Sequence, residues 1–382
     1  MPSAETQSTF AIVANGFTDG PAQALRDYLV DHGADVFAVS HPLSREDGTR
    51  HVIRRYVDGR LHDERSLRVP LHPPLSFAID PLIPLLPPRV DAWFGFNPLA
   101  CSRGLVARAQ HRARLVALWS VDFVPDRFGR RSPATVLYDR LDRLCCTRAD
   151  ARIELSQTAK DERRQRHGLP DDAAPAHIVP MGAWIERTAT TTSESFERRR
   201  VAYLGHLVPR QGVELLLEAL ALLHRRGELV SADVIGTGPL EAELRHHATE
   251  LGLHDTVRFH GFVTDHRDVE RILAEASLGI APYRPTDDTF TRYADPGKLK
   301  AYLAAGLPIV LTDVPPNARS LENAGGAEIV EFDAIALADA ISAGLASAEL
   351  WARRSAAARS FAQQFDWGKL LPELLQKLGV KA

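Results

Sequence analysis

Three cysteines in 382 residues, Cys145 and Cys146 adjacent and Cys101 apart, give neither a disulfide framework nor a Cys-x-x-Cys zinc site. They read as reduced, partly buried thiols of a cytosolic protein. An excess of charge is missing too. Lys and Arg number 46 against 49 Asp and Glu, a net charge of -3 with the signs well mixed, so nothing asks for a nucleic-acid partner. No window approaches the ~20 apolar residues that span a bilayer. Residues 1–9 lack the charged start and apolar core of a signal peptide. No G-x-G-x-x-G follows a strand-like run, which disfavours a Rossmann dehydrogenase. A soluble, cytoplasmic protein is expected.

What is there is alternation. Short apolar runs at residues 10–14, 35–39, 92–95, 115–119 and 153–156 take turns with stretches of helical spacing, as in sheets covered by helices. Residues 52–69 read as a hairpin turning at Asp58-Gly59. Residues 71–88 hold six prolines and read as a loop, because proline removes backbone donors. Residues 186–200 are polar and without periodicity, the composition of a domain boundary. Beyond them the alternation restarts, with strands expected near 201–207, 232–236, 257–261, 278–283 and 308–312. These runs carry few polar residues, as strands buried on both faces do. The reading is therefore α/β, with two doubly wound Rossmann-like domains.

Ligands of open α/β sheets bind past the carboxyl ends of the strands. After the first strand stands Asn15-Gly16, and Gly20-Pro21 opens a helix. Glycine there lets backbone approach a ligand, and a helix N-terminus favours an anion, so Gly16 is a candidate phosphate-facing residue. A plain strand-to-helix turn is an equal reading. Asp122 follows the strand at 115–119 between apolar residues, where a carboxylate can face a cleft and accept a proton. A turn or capping aspartate is its competitor, and Asp126 stands close by. His246-His247 read as solvent-exposed, and Trp93, Trp119 and Trp184 as core or cleft wall.

The second half carries a resemblance. "VAYLGHLVPRQGVELLLEALALL" resembles the "YxGRLxxxKGxxxLLxA" segment of family 4 glycosyltransferases, and "ADVIGTGPLEAEL", "VRFHGFV", "LGIAPY" and "YADPGKLKAYLAAGLPIV" follow in family order. The resemblance implies the GT-B fold: two Rossmann-like domains facing each other across a cleft. It divides the chain into an acceptor domain (1–185), a nucleotide-sugar domain (186–365) and a terminal helix (366–382) that crosses back to the first domain. It also implies a nucleoside-diphosphate sugar as donor substrate, with no cofactor and no metal, the diphosphate met by an Arg and a Lys. No D-x-D occurs, and Asp287-Asp288 is not one.

The chain departs from the family pattern. His206 stands at the Arg position and Gln211 at the Lys position, with Arg210 beside it. Tyr293 and Ala301 replace the paired glutamates. The stretch Asp295-Pro296-Gly297-Lys298 is similar to a subset that includes the xanthan glucuronosyltransferase type, in which a lysine here meets the diphosphate. A lysine at a helix N-terminus is electrostatically unfavourable unless an anion binds there. The expected donor set is thus Gly16, Gly205, His206, Arg210, Tyr293, Asp295, Pro296, Gly297 and Lys298, with Asp122 as the base if the reaction inverts. The expected acceptor is a glycan, a lipid-linked sugar or a small molecule. The apolar 71–88 stretch leaves peripheral contact with the inner membrane face open, and oligomeric state is unread. The rivals are a catalytically silent sugar-nucleotide-binding protein and a GT-B epimerase or phosphorylase.

Overall fold

A computed structural model describes residues 8–17, 20–45, 47–80, 89–286 and 293–381. The chain forms two compact units, residues 1–180 with 368–382, and residues 181–367.

The first unit is built on an eight-stranded sheet. Its strands are β1 (Thr9–Asn15), β2 (Asp35–His41), β3 (Arg50–Val57), β4 (Arg60–Arg68), β5 (Val90–Gly95), β6 (Ala113–Trp119), β7 (Ala151–Glu154) and β8 (Ala176–Ile178), in the order β4-β3-β2-β1-β5-β6-β7-β8. All pairs are parallel except β2–β3 and β3–β4. The β3–β4 hairpin turns at Asp58 (φ 49°) and Gly59 (φ 71°), the two positive φ values that a type I′ turn requires. Helices Pro21–Asp31, Pro98–Ala109 and Pro133–Arg148 each begin with the proline that suits a first helical position. Asn97, Ser132 and Ser156 cap the helices that follow them by accepting from the amide three residues on. Trp93 and Trp119 are buried in the core, and all three cysteines are buried and free.

The second unit has an all-parallel sheet of β9 (Arg200–Leu204), β10 (Ser231–Ile235), β11 (Val257–Gly261), β12 (Leu278–Ala281), β13 (Ile309–Thr312) and β14 (Ala327–Val330). The order is β11-β10-β9-β12-β13-β14. Every residue of β12 and β13 is buried, as the apolar runs imply. Residues 186–200, whose composition reads as a boundary, are folded into this unit instead. Thr191 and Ser195 donate their hydroxyls to the carbonyls of Ala276 and Ala274, while most of the charged side chains of this stretch are exposed. Within 71–88, a 3₁₀ turn spans Leu75–Ala78; residues 81–88 lie outside the described residues. Among the described residues, no single helix is long and apolar enough to cross a membrane.

Candidate functional site

In the second unit the strand order reverses between β9 and β12, and a doubly wound sheet opens its ligand crevice at that point. Tyr203, near the end of β9, is buried, and its hydroxyl lies 3.1 Å from the His206 carbonyl and 3.4 Å from Gln211 Oε1. Gly205 follows with φ 146°, and a Cβ there would stand 2.7 Å from Lys298 Nζ. Glycine is therefore what lets this lysine lie across the strand end. Its amide donates to the Ile235 carbonyl at 2.9 Å, so the group expected to face the donor closes the strand-end turn.

Lys298 is the second residue of helix Gly297–Ala304, which starts after Pro296. The first amides of that helix, at Gly297 and Lys298, have no carbonyl of their own helix to meet. Lys298 Nζ donates to Gln211 Oε1 at 2.5 Å and lies 4.3 Å from the Tyr203 ring centre and 4.9 Å from that of Tyr283. Burial, and then the Arg210 charge, pull its pKa down to about 7. Arg210 sits on the 3₁₀ turn Pro209–Gln211, and His206 is exposed beside it. The Tyr283 hydroxyl is buried with no hydrogen-bond partner among the described residues. A cation, two phenols and the start of a helix meeting at a switch point suit an anion.

Asp295 is held through its side chain. Its Oδ2 accepts from the Met181 amide at 2.8 Å, and its Oδ1 accepts from the buried Lys300 ammonium and, at 3.4 Å, from Asn317. The carboxylate anchors the start of the helix. Tyr293 is buried, and Asp287 and Asp288 lie outside the described residues.

In the first unit Asp122 follows β6 and is about one-third exposed. Its Oδ2 accepts a 2.6 Å hydrogen bond from Arg127 Nη2. Asp126, with a positive φ of 57°, pairs with Arg166 at 2.8 Å. Beneath this loop runs a buried ionic network. Arg163 donates to Asp142, Glu154 and the Ser120 hydroxyl, and His167 Nε2 lies 2.8 Å from Asp142. Although burial opposes it, Arg163 and His167 hold the Asp142 carboxyl below the usual range.

Gly16 follows β1 with φ 109°, and its amide donates to the His41 carbonyl at 2.8 Å. It too closes a turn. Beside it, His41, His51 and Asp80 are buried together. Burial, and then His51, hold His41 down to about 3, and burial lifts Asp80 to about 6 against its hydrogen bond from Asn15.

The structure thus brings Gly205, Lys298 and Gln211 into contact, places Arg210 beside them and ties Asp295 to Lys300. Gly16 and Asp122 belong to the other unit. The reading from sequence missed Tyr203, Tyr283 and Lys300, because tyrosines in apolar strand motifs look like core residues. Trp119 is core as expected, and His246 is 76% exposed on its helix.

Residues 198–347 match the family described as glycosyl transferases group 1. The chain is 26% identical over 167 residues to an alpha-D-kanosaminyltransferase of Streptomyces kanamyceticus, covering 39% of this chain and 43% of that protein. It therefore spans less than half the length of the curated relatives it matches. Among solved structures, Anabaena Alr3699/HepE in complex with UDP superposes with a TM-score of 0.65 at 17% identity, covering 98% of this chain and all of that one. Sucrose-phosphate synthase of Thermosynechococcus elongatus gives 0.69 at 18% identity, covering 97% and 98%. At such identities the likeness shows the fold. The chain has the GT-B fold, and within its second unit residues 198–347 are similar to the glycosyl transferases group 1 family.

Proposed function

We propose that this chain is a glycosyltransferase that moves a sugar from a nucleoside-diphosphate sugar to a hydroxyl acceptor. The observation that carries the reading is Lys298 at the β9–β12 switch point, hydrogen-bonded to Gln211 at a helix start. A diphosphate brings negative charge that would favour such a lysine and such a helix start. Lys298, with Arg210, supplies the positive charge from side chains, so the donor needs no divalent metal. The names of the relatives and the UDP bound by HepE support a nucleotide donor. The first unit holds the acceptor, and Asp122 contacts its hydroxyl: as general base if the reaction inverts, as a positioning group if it retains.

The test is a panel of nucleotide sugars mixed with the protein, with and without sugar, lipid-linked and small-molecule acceptors, while nucleoside diphosphate is measured. Release from one donor, unchanged by added magnesium or manganese, is the expected result. No release from any donor identifies a silent binding protein. Conversion of the donor sugar without nucleotide release identifies an epimerase. A requirement for added metal sinks the cationic side-chain account.

A further inference from the structure

We propose that His41, His51 and Asp80 of the first unit form a binding site for a divalent transition metal, zinc in the first place. The three residues come from the end of β2, the start of β3 and the turn after the 3₁₀ segment, and they are 3%, 0% and 5% exposed. The two Nδ1 atoms are 2.8 Å apart, and Asp80 Oδ1 lies 3.8 Å from His41 Nδ1 and 3.7 Å from His51 Nδ1. A triangle with those edges has a centre about 2.0 Å from every corner, the length of a zinc bond to imidazole nitrogen or carboxylate oxygen. All three donor atoms therefore lie at coordination distance from one point.

A polar core without metal explains less. One Nδ1 proton can close the contact between the histidines, but Asp80 Oδ1, which is buried, then has no hydrogen-bond donor among the described residues. An unmet buried carboxylate oxygen is destabilising, and a cation among the three atoms meets it. The other oxygen is already held. Asp80 Oδ2 accepts from Asn15 Nδ2 at 2.8 Å, and Asn15 Oδ1 accepts from Asn97 Nδ2 at 2.6 Å. That chain of amides orients the carboxylate as an outer shell orients a metal ligand. Two imidazoles and one carboxylate suit zinc and its neighbours better than magnesium, which prefers oxygen. Asn15 ends β1 and Asn97 follows β5, where the strand order of this sheet reverses. The ion would tie β2, β3 and the segment ending at Asp80 to that point. The site shares no residue with the donor site of the other unit and stands or falls apart from it.

Tag-free protein, stripped by dialysis against a chelator, is titrated with zinc chloride and analysed for bound metal by mass spectrometry. One zinc per chain is expected, with a rise in melting temperature that magnesium chloride does not reproduce. Cobalt in place of zinc should give visible absorption bands. Asp80→Asn keeps the acceptor for Asn15 but removes the ligand charge, and should weaken zinc at least about tenfold. His41→Gln should do the same. Wild-type protein that takes up no zinc at micromolar free metal overturns the site, as does unchanged affinity in both variants. Should the variants fail to fold, the wild-type stoichiometry and the cobalt spectrum decide alone.

Discussion

Lys298 Nζ donates to Gln211 Oε1, and these residues stand 87 positions apart. Gln211 occupies the place where the resembling family carries lysine. A lysine reaches this place from the opposite side of the same switch point, and the glutamine accepts its hydrogen bond. One departure from the family pattern answers the other.

Lys298→Ala should weaken binding of the released nucleoside diphosphate ten- to a hundredfold, for a charge-assisted contact of about 1.5–3 kcal/mol. Gln211→Ala should cost less, because it frees the lysine without removing its charge. Calorimetric titration of both variants checks this, and equal losses would mean that the two act as one hydrogen-bonded unit.

Binding of that diphosphate should take up protons above neutral pH. Lys298 titrates at about 7 in the folded protein, so by pH 8 it is mostly neutral until an anion favours the ammonium. Affinity should therefore fall as pH rises from about 7 to 9, and the observed enthalpy should change with the ionisation enthalpy of the buffer. Lys298→Met should abolish both effects. The stability term has its own sign. Between about 7 and the ordinary lysine value of 10.5 the unfolded chain binds more protons, so this group makes stability rise with pH.

Asp122→Asn keeps the size of the side chain and an oxygen for Arg127 but takes no proton. If Asp122 is a general base, turnover should fall about 10²- to 10⁴-fold while donor binding survives on the other unit. The anomeric proton coupling of the product should then show inversion. Retention with a small loss leaves Asp122 a positioning residue. Unchanged turnover makes the Asp122–Arg127 pair a structural turn.

Arg163→Met should destabilise the first unit by about 3–5 kcal/mol, since it strips Asp142 and Glu154 of a buried counter-ion. Denaturant unfolding followed by tryptophan fluorescence would report it. Diphosphate affinity should hold, because this network lies in the unit that does not carry Lys298.

By itself the sequence determined the features that arise from neighbours along the chain. The alternation of apolar runs and helical spacing yields two doubly wound units, and Asp58-Gly59 marks the hairpin through its two positive φ values. The ordered motifs of the second half mark the strand ends of the candidate site, and Lys298 stands out because a cation at a helix start is locally unfavourable. The tertiary structure alone decided which strand ends meet. β9 lies beside β12 although two strands intervene in sequence, and only that order puts Gln211 under Lys298. It placed the polar 186–200 stretch in the second unit, and it assigned Asp295 to Lys300 and Met181. It also gathered His41, His51 and Asp80, whose spacing follows no ligand motif. Capping, turn chemistry and hydrophobic period act over a few residues, whereas sheet order is set by how whole layers pack, and no local pattern encodes it.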